Sequence, residues 1–189
     1  FCSALGKYDE WSSYEDPASG PYRASIGTYG EFTGVTVVNQ NPVFFKEDAV
    51  HKVYVSPSGA HQIVTVNCPG VADGSSRSVA HVNGYLLYKT RNDVVIFDGS
   101  NVTPISQALG SEKYSDAICG SHGNKYVMWC KDKAGLPTIF TYDLSLGLWH
   151  REDAPEELKY FINTDGSLYS VCENNGALVV YEHNSGISN

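Results

Sequence analysis

The chain has 189 residues, 42% apolar and 12% aromatic, with 13 Lys and Arg against 21 Asp and Glu and a net charge of −8. The apolar fraction suffices for a packed core in one all-β domain, whereas the scattered cations exclude the clustered basic surface that DNA or RNA binding needs. No apolar run approaches the roughly 20 residues of a membrane helix, and Phe1-Cys2-Ser3-Ala4 has neither a basic start nor a long apolar stretch, so no membrane span and no signal peptide are read.

Residues 1–31 stand apart as an N-terminal strand and loop segment. A strand is expected at Phe1-Cys2-Ser3-Ala4, loops at Asp16-Pro17 and Gly20-Pro21, and the segment is rich in aromatics, Trp11, Tyr14 and Tyr22 among them. Without an initiator Met it reads as the start of a fragment or a processed product. A weak repeat then governs the rest. Short apolar runs begin at Pro42, Tyr85, Tyr126 and Ser167, which are 43, 41 and 41 residues apart. Each is followed by a second run, at His51–Tyr54, Val94–Asp98, Thr138–Asp143 and Ala177–Glu182. A period near 40 with strand content is the signature of propeller blades.

The expected fold is therefore all-β, a β-propeller-like array of about four antiparallel blades in a single domain over 1–189, or a piece of a larger propeller. The blades fall at 32–70, 77–111, 115–152 and 158–183. Asn83-Gly84 predicts a type I′ hairpin in the second blade, and Asp165-Gly166 and Asn175-Gly176 mark the two turns of the fourth. Single helical turns are expected at Ile105–Leu109 and Pro155–Leu158. The fourth blade lacks an outermost strand, and a bare edge invites pairing. Residues 1–15 are expected to close it, unless another polypeptide does.

No catalytic, cofactor-binding or metal residue is assigned, and no cofactor is expected. The six His residues lack HxH, HxxxH or HExxH spacing, and the five Cys lack CxxC pairs, so they read as reduced, partly buried thiols. His150-Arg151-Glu152-Asp153 is the densest polar cluster, with Trp149 as its packed residue and the charges as a solvated loop. Asp98 and Asp143 read as turn caps. Ser76 and Ser121 have no nucleophile-elbow context. Gly27-Thr28-Tyr29-Gly30 lacks the Lys and helix of a phosphate loop. Paired carboxylates for glycan cleavage are set by fold rather than by spacing; the expectation is of a protein that is not an enzyme.

Several stretches resemble a family of uncharacterised proteins of tailed bacteriophages and prophages of gut bacteria. They are Phe44–Tyr54, Phe97-Asp98-Gly99-Ser100, Ile105–Gly110, Tyr142-Asp143, Gly147–Asp153 and the opening Ser3-Ala4-Leu5-Gly6 with Trp11. The likeness spans nearly the whole chain in order and is weakest in the last blade. It implies a virion structural protein of the tail or neck, assembled in the host cytoplasm and acting as a rigid scaffold for other virion proteins, with self-association through an unpaired blade edge. A carbohydrate- or receptor-binding module, engaging a host-surface glycan through exposed aromatics, is the alternative. A glycan hydrolase or lyase is a third.

Overall fold

In a computed structural model, residues 1–12, 19–56, 60–154, 157–164 and 166–183 are described. Among the described residues fifteen strands build four antiparallel sheets. Sheet 1 comprises β1 (Gly34–Val38), β2 (Asn41–Lys46), β3 (Ala49–Val55) and β4 (His61–Val66). Sheet 2 comprises β5 (Ala80–Val82), β6 (Tyr85–Lys89), β7 (Val94–Phe97) and β8 (Val102–Pro104). Sheet 3 comprises β9 (Ser115–His122), β10 (Lys125–Lys131), β11 (Pro137–Asp143) and β12 (Leu148–Glu152). Sheet 4 has three strands, β13 (Leu158–Thr164), β14 (Ser167–Asn174) and β15 (Ala177–His183). The four expected repeat units are these four sheets, and each expected apolar run is a second or third strand.

Within each sheet, consecutive strands pair in order, so every connection is a hairpin. Asn83 and Gly84 have φ of 48° and 81°, and Asn175 and Gly176 have 50° and 79°, the left-handed pair that matches strand twist in a two-residue turn. Asn39 and Gln40 do the same between β1 and β2, at 47° and 65°. Gln is an unusual occupant, and no turn signal is legible there. The expected turn at Ile105–Leu109 is a short 3-10 helix over Ser106–Leu109. A second, Ser76–Ser78, lies where the second blade was expected to begin. Residues 155 and 156 of the other expected helical turn, Asp165 of the expected turn and Asp16-Pro17 of the expected loop lie outside the described residues; Leu158 opens a strand.

Strand alternation gives each sheet two faces, and the sheets stack face to face in chain order. Val43, Phe45 and Val50 of sheet 1 pack on Leu86, Tyr88, Val95 and Phe97 of sheet 2. Ala80, Val82, Leu87 and Val94 on the other face of sheet 2 meet Tyr126, Met128, Cys130, Phe140 and Tyr142. Ile118, Val127, Trp129 and Ile139 on the far face of sheet 3 meet Leu158, Leu168 and Cys172 of sheet 4. Two buried hydroxyls fasten the connectors between sheets. Tyr88 Oη donates to the Pro69 carbonyl at 2.9 Å and Tyr126 Oη to the Ser78 carbonyl at 2.8 Å. Burial holds both phenols protonated, far above the ordinary tyrosine range. Gly70 is needed where the first connector crosses β2: a Cβ there would lie 1.9 Å from the Lys46 carbonyl oxygen.

The N-terminal segment departs from expectation. Instead of extending sheet 4, Cys2 forms an antiparallel bridge with Tyr22, and Ala4 with Lys7. The segment lies over sheet 1: Tyr22 stacks on His61 at 4.4 Å, and Phe32 packs 5.8 Å from Phe44. Among the described residues β15 pairs with β14 alone. The reason is visible in the side chains. Tyr22 is half-buried against the outward face of sheet 1 and Phe32 touches it, while Phe1, Trp11 and Phe32 keep half or more of their surface in water.

Candidate functional site

The polar clusters singled out in the sequence serve the fold. Trp149 Nε1 donates to the Ile105 carbonyl at 2.7 Å, and its ring packs on Tyr142 and Phe140. The Arg151 guanidinium lies over the Phe140 ring and donates to Thr138 Oγ1, while Thr141 Oγ1 donates to Glu152. This cluster lies in strand β12 and just beyond it rather than in a loop, and His150, Arg151 and Asp153 are exposed, as expected of solvated charges. Asp98 accepts the backbone N–H groups of Ser100 and Asn101, and these bonds hold its carboxyl below the usual range. Asp143 accepts those of Ser145 and Leu146. Both are turn caps. Asp132 is a third, accepting from Ala134 and Leu136, and was not singled out. Among the described residues no three His, Cys, Asp or Glu side chains come together to hold a metal. All five Cys are free thiols, and burial pushes Cys130 up to about 12.

What the structure does offer is two unpartnered apolar faces. The first belongs to sheet 1. Register places Val35, Val37, Pro42, Phe44, His51, Val53, Val55, His61 and Ile63 on one side, opposite the side that meets sheet 2. The N-terminal segment arches over this side without filling it. It leaves a cavity of about 1180 Å³ whose walls are Phe1, Trp11, Tyr22 and Phe32 above and Val35, Pro42, Phe44, Val53, Val55 and Ile63 below. Lys46 and His61 line it, and among the described residues no Asp or Glu does. Among the described residues the two carboxylates of a glycosidase are not assembled in this cavity.

His51 anchors the arch. It is fully buried, with Nε2 3.0 Å from Thr28 Oγ1 and Nδ1 3.0 Å from Thr65 Oγ1. Burial is the larger cause and nearby Lys46 the smaller of a pKa below the ordinary value, so the ring is held neutral. Lys46 Nζ donates to the Thr28 carbonyl at 2.7 Å and sits 5.1 Å from the Phe32 ring.

The second face belongs to sheet 4. Leu168 and Cys172 point toward sheet 3. The opposite side presents Tyr160, Ile162, Tyr169, Val171, Leu178 and Val180. Leu178 is 68% and Val180 60% exposed. Arg77 reaches from the connector before sheet 2 to lie over Tyr160 and donate to the Lys159 carbonyl. It covers the β13 end and leaves β15 open. Neither face was identified in the sequence, because alternation reports which residues share a side and not whether a neighbour covers it.

Comparisons with known proteins bear on the fold alone. No family model matches the chain, and no curated protein matches it. Among solved structures it is similar to the computationally designed Ika4 protein, at 12% identity and a TM-score of 0.55, over 84% of this chain and 95% of that one.

Proposed function

We propose that the four sheets are consecutive blades of a β-propeller and that the chain works by binding protein. In this reading it is a rigid scaffold of a phage or prophage particle, in the tail or neck, and carries out no catalysis. The observation that carries the binding reading is the pair of apolar faces at the two ends of the stack. The sheet 4 face leaves Leu178 and Val180 exposed, and the sheet 1 face, under the arch of the N-terminal segment, leaves Val35, Val37 and Val55 exposed. Contiguous exposed apolar surface of this kind marks interaction sites. The fixed stack between them holds the two faces at a constant separation, which is what a scaffold requires. The particle setting rests on the sequence resemblance.

The test is particle proteomics combined with localisation in a phage reconstruction. The expected result is stoichiometric copies in the tail or neck, with density against an end face. Absence from purified particles overturns the setting, and end faces left in solvent within the particle overturn the scaffold role.

A second reading is favoured by one observation. Phe1, Trp11, Tyr22, Phe32 and Phe44 surround a single cavity, and aromatic walls suit a sugar ring or another flat ligand. A host-surface glycan held there would shift tryptophan emission on titration, and Trp11→Ala would abolish the shift. A glycan panel that leaves the emission unchanged dismisses this reading.

A further inference from the structure

The three interior interfaces of the stack have one polarity. In each, the later face of one sheet receives the earlier face of the next. Sheet 1 gives its later face to sheet 2, sheet 2 to sheet 3, and sheet 3 to sheet 4. Two faces remain, the earlier face of sheet 1 and the later face of sheet 4. Among the described residues no buried cluster joins them within the chain.

We infer that a second copy of this chain joins them head to tail, the later face of sheet 4 in one copy entering the groove on the earlier face of sheet 1 in the other. The inference rests on the scaffold reading above and names its partner. Three features select a second copy. The contact would continue the interface already repeated three times inside the chain, with a sheet supplying the same kind of aliphatic and aromatic side chains. The groove has room: its cavity of about 1180 Å³ runs from Val35 on the inner strand to His61 and Ile63 on the outermost, the full width of the sheet. Charge is also compatible. Glu173 and Glu182 share the sheet 4 face with Leu178 and Tyr169, while among the described residues the groove is lined by Lys46 and His61 and by no acid.

The size of the contact is sufficient only when it forms twice. Strands about 4.8 Å apart and seven or so residues long make a flat face of about 300 Å² in a three-stranded sheet. Two such contacts, counted on both chains, total on the order of 1,200 Å², the lower bound of stable interfaces. A head-to-tail pair closes on itself when each copy gives one face and receives the other, so one pair forms both contacts.

The test is native mass spectrometry and sedimentation of the full chain at micromolar concentration, with two double variants at exposed positions. Leu178→Asp with Val180→Asp blocks the sheet 4 face, and Val35→Asp with Val55→Asp blocks the sheet 1 groove. The wild-type chain is expected to form a discrete dimer. Each variant alone is expected to be monomeric with an unchanged melting curve, the dissociation constant rising at least tenfold. Mixing the two variants is expected to leave both monomeric, because the single intact pair of faces that survives is below the size a stable contact needs. A variant whose melting curve shifts is replaced by its alanine counterpart, expected to weaken the dimer in the same order. Monomeric wild-type protein overturns the inference, as does loss of the dimer in only one variant or a mixture that dimerises as tightly as the wild type. None of these results depends on presence in a particle, so the self-association and the scaffold reading fail separately.

Discussion

Sheets 3 and 4 are the same repeat in two environments. On the later face of sheet 3, Ile139 pairs with Trp129 and both are buried. On the later face of sheet 4, Val180 pairs with Val171, and Val180 is 60% exposed. The side chains are of one kind; only the neighbour differs. Composition therefore sets what a face can bury, and the next sheet along decides whether it does. Sheet 4 is made as though a neighbour followed.

The sharpest way to break this comparison is to truncate both positions in the monomeric chain. Ile139→Ala removes packing from a closed interface and is expected to cost about 2–4 kcal/mol of unfolding free energy, read by urea denaturation. Val180→Ala is expected to stay within about 0.5 kcal/mol, the range of ordinary surface changes. Comparable losses at the two sites would mean that the sheet 4 face is already covered and that the contrast is false.

A second change tests how closely sheets 3 and 4 approach. Gly120 on β9 faces sheet 4, and a Cβ there would lie 2.6 Å from Leu168 Cδ1 and 2.8 Å from Phe161 Cβ. Gly120→Ala is expected to cost about 1–3 kcal/mol through overpacking. Leu168→Ala in the same chain would relieve part of the crowding, so the double variant should lose less than the two single losses combined. Strict additivity would show that the two residues do not compete for one space.

Much of the fold was legible because strands announce themselves by alternation and hairpins by Asn-Gly. Residues 42–45, 85–88, 126–129 and 167–170 are all in second strands, and Asn83-Gly84 and Asn175-Gly176 form the expected turns. What was not legible depends on long-range contact. The path of residues 19–32 is fixed by Tyr22 on His61 and Thr28 on His51, contacts that no spacing encodes. Of the expected closure of sheet 4 by residues 1–15, residues 1–12 do not pair with that sheet: a bare edge and a loose aromatic segment were matched, but Cys2 and Ala4 bridge Tyr22 and Lys7 instead, and residues 13–15 lie outside the described residues. The cavity was hidden likewise, because its walls come from segments as far apart as Phe1 and Ile63. His51 showed no signal either, since its burial follows from the arch above it.

The mildest prediction separates the two end faces by their polar content. The sheet 1 face carries a buried neutral imidazole between Thr28 and Thr65; the sheet 4 face carries no His among its central residues. Protonating His51 would place a second positive charge near Lys46 in a site closed to water. Its folded pKa accordingly lies below the ordinary value of 6.5. Where the folded value is depressed, the unfolded chain binds the proton first, so falling pH favours unfolding. The contribution is complete above 6.5 and declines as pH falls through 6.5 toward the lower folded value. Melting temperature followed downward from neutral pH should therefore drop more steeply for the wild-type chain than for His51→Gln, which keeps a donor and an acceptor but cannot charge. The Thr28 anchor should loosen over the same window, seen as faster amide exchange in residues 22–33 while β6 and β10 stay protected. Equal pH slopes in the two proteins would show that His51 does not hold the arch through its neutral form.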